Sequence, residues 1–498
     1  MMMPNNPLVL VPIFAPLTGA ALCVLTARYL RVQHSVGIAA TALAWIASLV
    51  ILLLNWSDGM QVYRIGGYAP PYGIVLAPDM LSALFELMAT TVVACGAIYI
   101  LGCHDKCVSY PAFMPLYLCM AAGLNGAFYT GDIFTLFVFQ ELMIMSSVVL
   151  VAISDNRLGV EAAIKYLLIS AMGSLFLLLG ICAIYATFGT LTLADIARLL
   201  EGGQRPLLAQ VAAVVLMCAF LLKSAVFPFH FWQPDFHTAA PTPVHAVLSS
   251  VVVKVGVYGL IRLTMLLFIA EAPLVRTLLL ILGIIGIFFG GLAALRTYDA
   301  KRMLAYSTFG QIGFILLGIG WGTPLALVGA IVYAFNHSFI KSSLLMITGA
   351  VSSRMPNKSA KLTEIGGAGK TLGGLSALYL LGGLALAGIP PLNGFISKLS
   401  IVQGGIQAQG WVVLGLAVGA GLITLLYTMR TWQHIFQRSP DETLTLKPVG
   451  DSLIAPALLI GLCVLFGLYA APLVEAATIA VDRLGDPQLY IRGVLGGS

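Results

Sequence analysis

The sequence predicts an all-α polytopic membrane protein, on three observations. Of 498 residues, 59% are hydrophobic and only 9% are charged, where an ordinary soluble domain carries about 25% charged residues. The mean hydropathy is +0.98. The apolar residues lie in long continuous runs, not in the alternating segments of about 10 residues that a membrane barrel would show. Helices satisfy every backbone hydrogen bond within the segment, so runs of this kind cross a bilayer as helices. The length would otherwise suggest several soluble domains, but 26 basic and 20 acidic residues cannot cover that many water-facing surfaces. Disordered, coiled-coil and collagen-like chains fail on the same numbers.

A spanning helix needs about 20 mostly apolar residues, which gives about fourteen spans. They lie near 7–27, 35–54, 80–102, 111–130, 133–154, 161–188, 208–228, 240–265, 275–295, 302–320, 325–350, 372–400, 410–430 and 452–475. No basic residue precedes Arg28, so the first run is expected to be a retained span and not a cleaved leader. The stretch 55–79, with Gly66-Gly67 and Pro70-Pro71, reads as an external loop. Loops after odd-numbered spans hold Arg28, Arg31, Lys106, Arg157, Arg296, Lys301, Arg302, Arg354, Lys358, Lys361, Lys370, Arg430, Arg438 and Lys447. Those after even-numbered spans hold Arg64, Arg198, Arg205, Arg262 and Arg276, and fourteen against five is a strong bias. Positive loops stay inside, so the odd-span loops are expected to be cytoplasmic and both termini external, in a prokaryotic plasma membrane. Basic residues scattered singly between apolar runs exclude a nucleic-acid partner. The eight cysteines fall mostly within apolar runs, as small buried hydrophobes and not a disulfide framework. Cys103-His104-Asp105-Lys106-Cys107 has no second ligand pair at a zinc-like spacing, so no metal is expected.

Five bases remain inside the spans, Lys165, Lys223, Lys254, Lys341 and Lys398, and all are lysines. A buried lysine can give up its proton, whereas an arginine effectively cannot. A charge at mid-membrane costs about 3 kcal/mol, so such residues are usually functional. Of the acids only Glu141 and Glu86 fall in spans, with Glu86 near the external end of its helix and expected to be partly solvated. His337 lies one turn before Lys341 on the same face, and His245 stands near a helix start. Plain structural roles stay open beside these: Lys165 can snorkel to the interface, Lys254 can satisfy carbonyls, and His337 can be a core histidine.

Two spans carry interior prolines. The seventh reads Lys223-Ser224-Ala225-Val226-Phe227-Pro228, and the twelfth Gly388-Ile389-Pro390-Pro391-Leu392-Asn393-Gly394 followed by Lys398. Proline frees backbone carbonyls, which a bilayer tolerates only where protein or water meets them. Broken helices in corresponding positions of two halves point to inverted repeats, here spans 4–8 and 9–13; two unrelated kinks are the alternative. The expected organisation is 1–110 with spans 1–3, 111–265 as the first repeat, 275–430 as the second, and 452–498 as the last span with a short tail. In order, Glu141, Lys223, Lys254, His337, Lys341 and Lys398 form a relay of titratable groups, with Pro228, Pro390 and Pro391 marking the breaks. Glu141 near Lys223 would hold its proton, and their separation would release it.

No nucleotide loop, CxxC set or haem histidine pair occurs, so no cofactor is expected. An enzyme acting on lipid or quinone would want an interfacial acid or histidine cluster, and only His230 and His237 are present. A scaffold leaves the buried lysines unexplained.

Four motifs carry a resemblance: Thr130-Gly131-Asp132-Ile133-Phe134 through Glu141; Lys223 with Phe227-Pro228-Phe229-His230-Phe231-Trp232-Gln233-Pro234-Asp235; Lys301-Arg302-Met303-Leu304-Ala305-Tyr306-Ser307-Thr308; and Gly388-Ile389-Pro390-Pro391 with Phe395 and Lys398. The chain resembles the antiporter-like membrane subunits of respiratory complex I, membrane-bound hydrogenases and Mrp-type cation/proton antiporters. The resemblance implies fourteen helices with an inverted repeat, a Glu141–Lys223 pair, a connecting Lys254, the His337–Lys341 pattern and a terminal Lys398. It also implies other membrane subunits as partners, with protons and Na+ as the ions moved. The segment from Tyr63 to Asp79 is similar to D subunits of Mrp antiporters, the short tail leaves no room for a long lateral helix, and Lys398 stands where one complex I subunit has an acid. A subunit of a hydrogenase or complex I-like assembly is the alternative. Gln233 departs from the family, which has an apolar residue before Pro-Asp.

Overall fold

Long apolar runs become helices through almost the whole of the computed structural model, which describes residues 5–203, 206–367, 372–438, 446–447 and 449–496. Arg205 and Lys370 lie outside the described residues. The helices are α1 (Val11–Leu25), α2 (Leu30–Ser57), α3 (Met80–Leu101), α4 (Phe113–Tyr129), α5 (Ile133–Ala152), α6 (Arg157–Phe188), α7 (Leu193–Glu201), α8 (Leu207–Lys223), α9 (Gln233–Ala239) and α10 (Thr242–Val247). They continue as α11 (Val253–Arg262), α12 (Ala272–Arg296), α13 (Ala300–Trp321), α14 (Pro324–Arg354), α15 (Gly373–Ala387), α16 (Asn393–Gln407), α17 (Trp411–Trp432), α18 (Ile454–Leu468), α19 (Ala471–Leu484) and α20 (Pro487–Leu495).

Helix starts follow side chains that accept from the free N–H groups of the first turn. Asp79 accepts from Ser82 N at 2.9 Å, Asp132 from Thr135 N at 2.7 Å, Asn156 from Gly159 N at 2.8 Å and Asp299 from Arg302 N at 2.8 Å. The 55–79 loop folds into an antiparallel hairpin, β1 (Tyr63–Arg64) on β2 (Val75–Leu76).

Among the described residues ten helices are long and apolar enough to cross a membrane, or eleven if α18 and α19, bent by 78°, count as one span. The count falls below about fourteen because α4 has only 17 residues and the two proline-broken runs split into short pieces, α8 of 17 residues and α15 and α16 of 15 each. The chain after the last apolar run, expected as a tail, forms α19 and α20.

Burial divides the spans into two sets. The segment Thr242–Leu267, with α3, α13 and α14, is 78–100% buried, whereas α1, α2, α5, α6, α12 and α17 are 33–44% buried. The inner set carries Lys254, His337 and Lys341, because a span surrounded by protein holds them away from lipid, while Glu141 and Ser174 belong to the less buried α5 and α6.

Two sequence expectations change. Arg262, counted as a loop base, is the last residue of α11, 4% exposed, and grips Asp79 with two bonds of 2.7 and 2.6 Å. A permanent guanidinium in bidentate contact is what a structural clamp requires. Glu86, expected to be partly solvated, is 0% exposed, on a helix packed against by α2, α4, α10, α14, α18 and α19.

Candidate functional site

The site is a row of buried and half-buried polar groups. Lys223 is the final residue of α8, which stops there as the chain turns through Ser224, Ala225 with φ +52° and Phe227-Pro228. The ammonium donates to Ser174 Oγ of α6 at 3.1 Å, and Ser174 in turn donates to Glu141 of α5. Direct Nζ–Oε1 separation is 3.9 Å. One hydroxyl therefore bridges acid and base, accepting from one and donating to the other. Lys223 is 8% exposed, while the Glu141 side chain keeps 24%.

Lys254, His337 and Lys341 follow, none more than 1% exposed. Lys254 Nζ lies 2.9 Å from His337 Nδ1. Lys341 donates to the Leu304 carbonyl and, at 2.6 Å, to Ser307 Oγ, both on α13 within the Lys301–Thr308 motif. Neither lysine has a carboxylate partner among the described residues. Without a counter-charge, each proton added to these nitrogens is a buried charge that neighbouring dipoles alone must stabilise.

Lys398 sits in α16, beyond the break between α15 and α16. Its ammonium donates to the freed Ala387 carbonyl at 2.6 Å and stands 5.5 Å above the Phe314 ring. Gly388 takes φ +84° here, and a Cβ on it would lie 2.6 Å from Lys398 Cδ, so the turn needs glycine for conformation and for space. The ammonium borders an apolar cavity of about 280 Å³ between α15, α16 and α17. A hydrogen-bonded cluster ties this break to α14: Asn336 Nδ2 donates to Ser397 Oγ at 3.0 Å, and Asn393 Nδ2 to Asn336 Oδ1 at 3.1 Å. Asn336 precedes His337 and Ser397 precedes Lys398 in the sequence.

The structure thus brings Glu141 to Lys223 and Lys254 to His337, while Lys341 engages α13 instead of His337 and Lys398 engages a backbone carbonyl. Pro228, Pro390 and Pro391 lie in the breaks. Lys165 belongs to the surface: it is 45% exposed and pairs with Glu161 at 2.7 Å and Asp235 at 2.9 Å. Gln233 is fully buried, with its amide unpartnered among the described residues.

Sequence reasoning missed Ser174, Ser307, Asn336, Asn393 and Ser397. Serine and asparagine are ordinary inside spans, so residue type alone carries no signal. Position beside His337 and Lys398 was a usable signal for Asn336 and Ser397.

The family model described as NADH:quinone oxidoreductase/Mrp antiporter, TM matches residues 130–424. The chain is 31% identical to the D subunit of the Na(+)/H(+) antiporter of Alkalihalophilus pseudofirmus, over 98% of this chain and 99% of that one. Among solved structures it is similar to a chain in the Mrp complex from Dietzia sp. DQ12-45-1b, with a TM-score of 0.91 and 25% identity over 98% of this chain and 99% of that one. A chain of the membrane-bound sulfane sulfur reductase, an archaeal respiratory membrane complex, also has a TM-score of 0.91, at 27% identity over 98% of this chain and all of that one.

Proposed function

Because the chain belongs to the NADH:quinone oxidoreductase/Mrp antiporter membrane family, we propose that it is the proton-translocating subunit of a multisubunit Na+/H+ antiporter in a bacterial plasma membrane. The observation that carries this reading is the buried row from Glu141–Ser174–Lys223 through Lys254–His337 and Lys341 to Lys398. Glu141 holds the Lys223 ammonium through Ser174. When the acid withdraws, the lysine is left as an uncompensated buried charge and gives its proton onward. Lys254 and His337 share the proton, Lys341 takes it beside Ser307, and Lys398 delivers it at the second break.

The finer architecture belongs to the same reading. Fourteen spans result if α8 with the turn after it, α15 joined to α16, and the shorter α4 each cross the bilayer. The repeats are then 111–265 and 275–430, flanked by 1–110 and 452–498. In one half the lysine precedes the break and in the other it follows, as inversion requires. The odd-span loops face the cytoplasm and both termini face outside.

Reconstitution of the assembled complex into vesicles, with proton movement followed by a pH-sensitive dye, tests the relay. Glu141→Gln and Lys223→Ala are expected to stop cation-driven proton movement; transport left intact in both sinks the reading. A second reading, the proton-pumping subunit of a redox-driven assembly, draws on the equal TM-score to a chain of the sulfur reductase complex. Iron–sulfur subunits co-purifying with the tagged chain would favour it, and small membrane subunits alone would favour the antiporter.

A further inference from the structure

The cavity beside Lys398 measures about 280 Å³, and every residue that lines it other than Lys398 is apolar. A Cβ on Gly421 would stand 3.8 Å from Lys398 Nζ, so the ammonium lies level with the middle of the 22-residue α17. A charge is most costly at that depth of a bilayer. The rim of the cavity faces outward: Leu399, Val418 and Leu422 are 39%, 56% and 65% exposed. Lys398 itself is half-buried. Its ammonium meets the Ala387 carbonyl and the Phe314 ring, and no carboxylate among the described residues.

An apolar pocket with one or a few placed polar groups is the usual form of a small-ligand site. Here the placed group is a cation without an anion, so the occupant that fits has an apolar tail and a negative head. A phosphate head would have to carry its charge to mid-membrane. A carboxylic acid enters neutral and passes its proton to the Lys398 amine. The acid O–H bond breaks, an N–H bond forms, and a carboxylate is left beside an ammonium. A hydrogen bond between charged groups is roughly twice as strong as a neutral one.

We propose that the cavity between α15, α16 and α17 binds a fatty acid from the surrounding bilayer, with its carboxylate on Lys398 and its tail leaving past Val418 and Leu422. The bound acid does at the second break what Glu141 does at the first: it holds the lysine proton. Occupancy therefore locks Lys398 in its charged form and stops transport. That consequence rests on the proposed relay, whereas the binding does not.

The assembled complex in vesicles would be exposed to dodecanoic acid bearing a diazirine at its tail end, or to the methyl ester of that probe. Illumination and peptide mass mapping then locate the label. The acid is expected to label α17 at least about tenfold more than the ester, the scale of one charged hydrogen bond. Lys398→Gln is expected to erase that ratio. Gly421→Leu, whose side chain fills the cavity, is expected to remove the labelling. Sodium movement is the transport readout, because fatty acids carry protons across bilayers by themselves. Dodecanoate is expected to slow it in the parent and to leave Gly421→Leu at its full rate. Equal labelling by acid and ester, or none on α16 and α17, overturns the site and leaves the relay standing. Labelling that depends on Lys398 while sodium movement is unchanged overturns the lock. Sodium movement surviving in Glu141→Gln overturns the relay and leaves the site intact.

Discussion

The two proline breaks use one device in opposite ways. At the first, the lysine is the last residue before the turn and meets an acid through a hydroxyl, with Lys223 bonded to Ser174 and Ser174 to Glu141. At the second, the lysine follows the turn and meets only the Ala387 carbonyl that the break has freed, beside an aromatic ring and an apolar cavity. A carboxylate that can approach or withdraw changes how tightly a proton is held, whereas a carbonyl is a fixed dipole that the backbone cannot take away. On the proposed relay, the difference assigns switching to the first break and receiving and releasing to the second.

The largest expected effect breaks this contrast at its acid end. Lys223→Arg preserves a positive charge beside Ser174 but cannot release its proton; proton movement in vesicles should fall at least about a hundredfold, the range of a lost general acid–base group. Full transport by that variant would mean that Lys223 need not deprotonate. Next comes stability. Removing one partner of a buried pair costs about 3–5 kcal/mol, and allowing for solvent at the partly exposed Glu141, Lys223→Met should lose about 2 kcal/mol. Lys398→Met strands no charge, only the Ala387 carbonyl, and should lose about 1 kcal/mol. Thermal unfolding of the complex in detergent, with the two variants side by side, reads the difference; equal losses would end the contrast.

Ser174→Ala sharpens the first break alone. It removes the bridge while leaving acid and base 3.9 Å apart, and a charged hydrogen bond worth about 1.5 kcal/mol corresponds to roughly tenfold in flux. An unchanged rate would show that the direct pair suffices. Ala225, at φ +52° in the turn after Lys223, holds a conformation that costs a non-glycine residue about 1 kcal/mol. Ala225→Gly should raise the unfolding temperature slightly, and a lower one would mean that the side chain packs usefully.

The smallest effect lies outside the spans. Despite burial, which opposes ionisation, the hydrogen bond and charge of Lys358, 2.9 Å away, hold the Asp105 carboxyl below its ordinary value. A depressed acid contributes stability above the unfolded pKa of about 3.9 and loses it as pH falls through the folded value. Lys358→Met should therefore destabilise by under about 1 kcal/mol at neutral pH. Its melting point should converge with the parent's below about pH 4. A gap that persists in acid would assign the loss to packing.

Charge bookkeeping alone isolated Glu141, Lys223, Lys254, His337, Lys341 and Lys398, because an ionisable residue in a 9% charged chain stands out against lipid. The breaks were legible too, since proline cannot donate within a helix. Residue type could not separate Lys165, which pairs at the surface, from the four lysines held inside, nor reveal Arg262 as a clamp on Asp79. Both distinctions depend on acids 70 and 183 positions away in the chain.

The sequence by itself determined that the chain crosses a membrane as helices, where two of them break, and which rare charges require an explanation. Those follow from transfer energies and backbone chemistry, which act residue by residue. Only the tertiary structure decided who meets whom: Ser174 between Glu141 and Lys223, His337 on Lys254, and Ser307 under Lys341. Hydrogen bonds are short and directional, so such partners emerge only when packing brings distant helices to within a few ångströms.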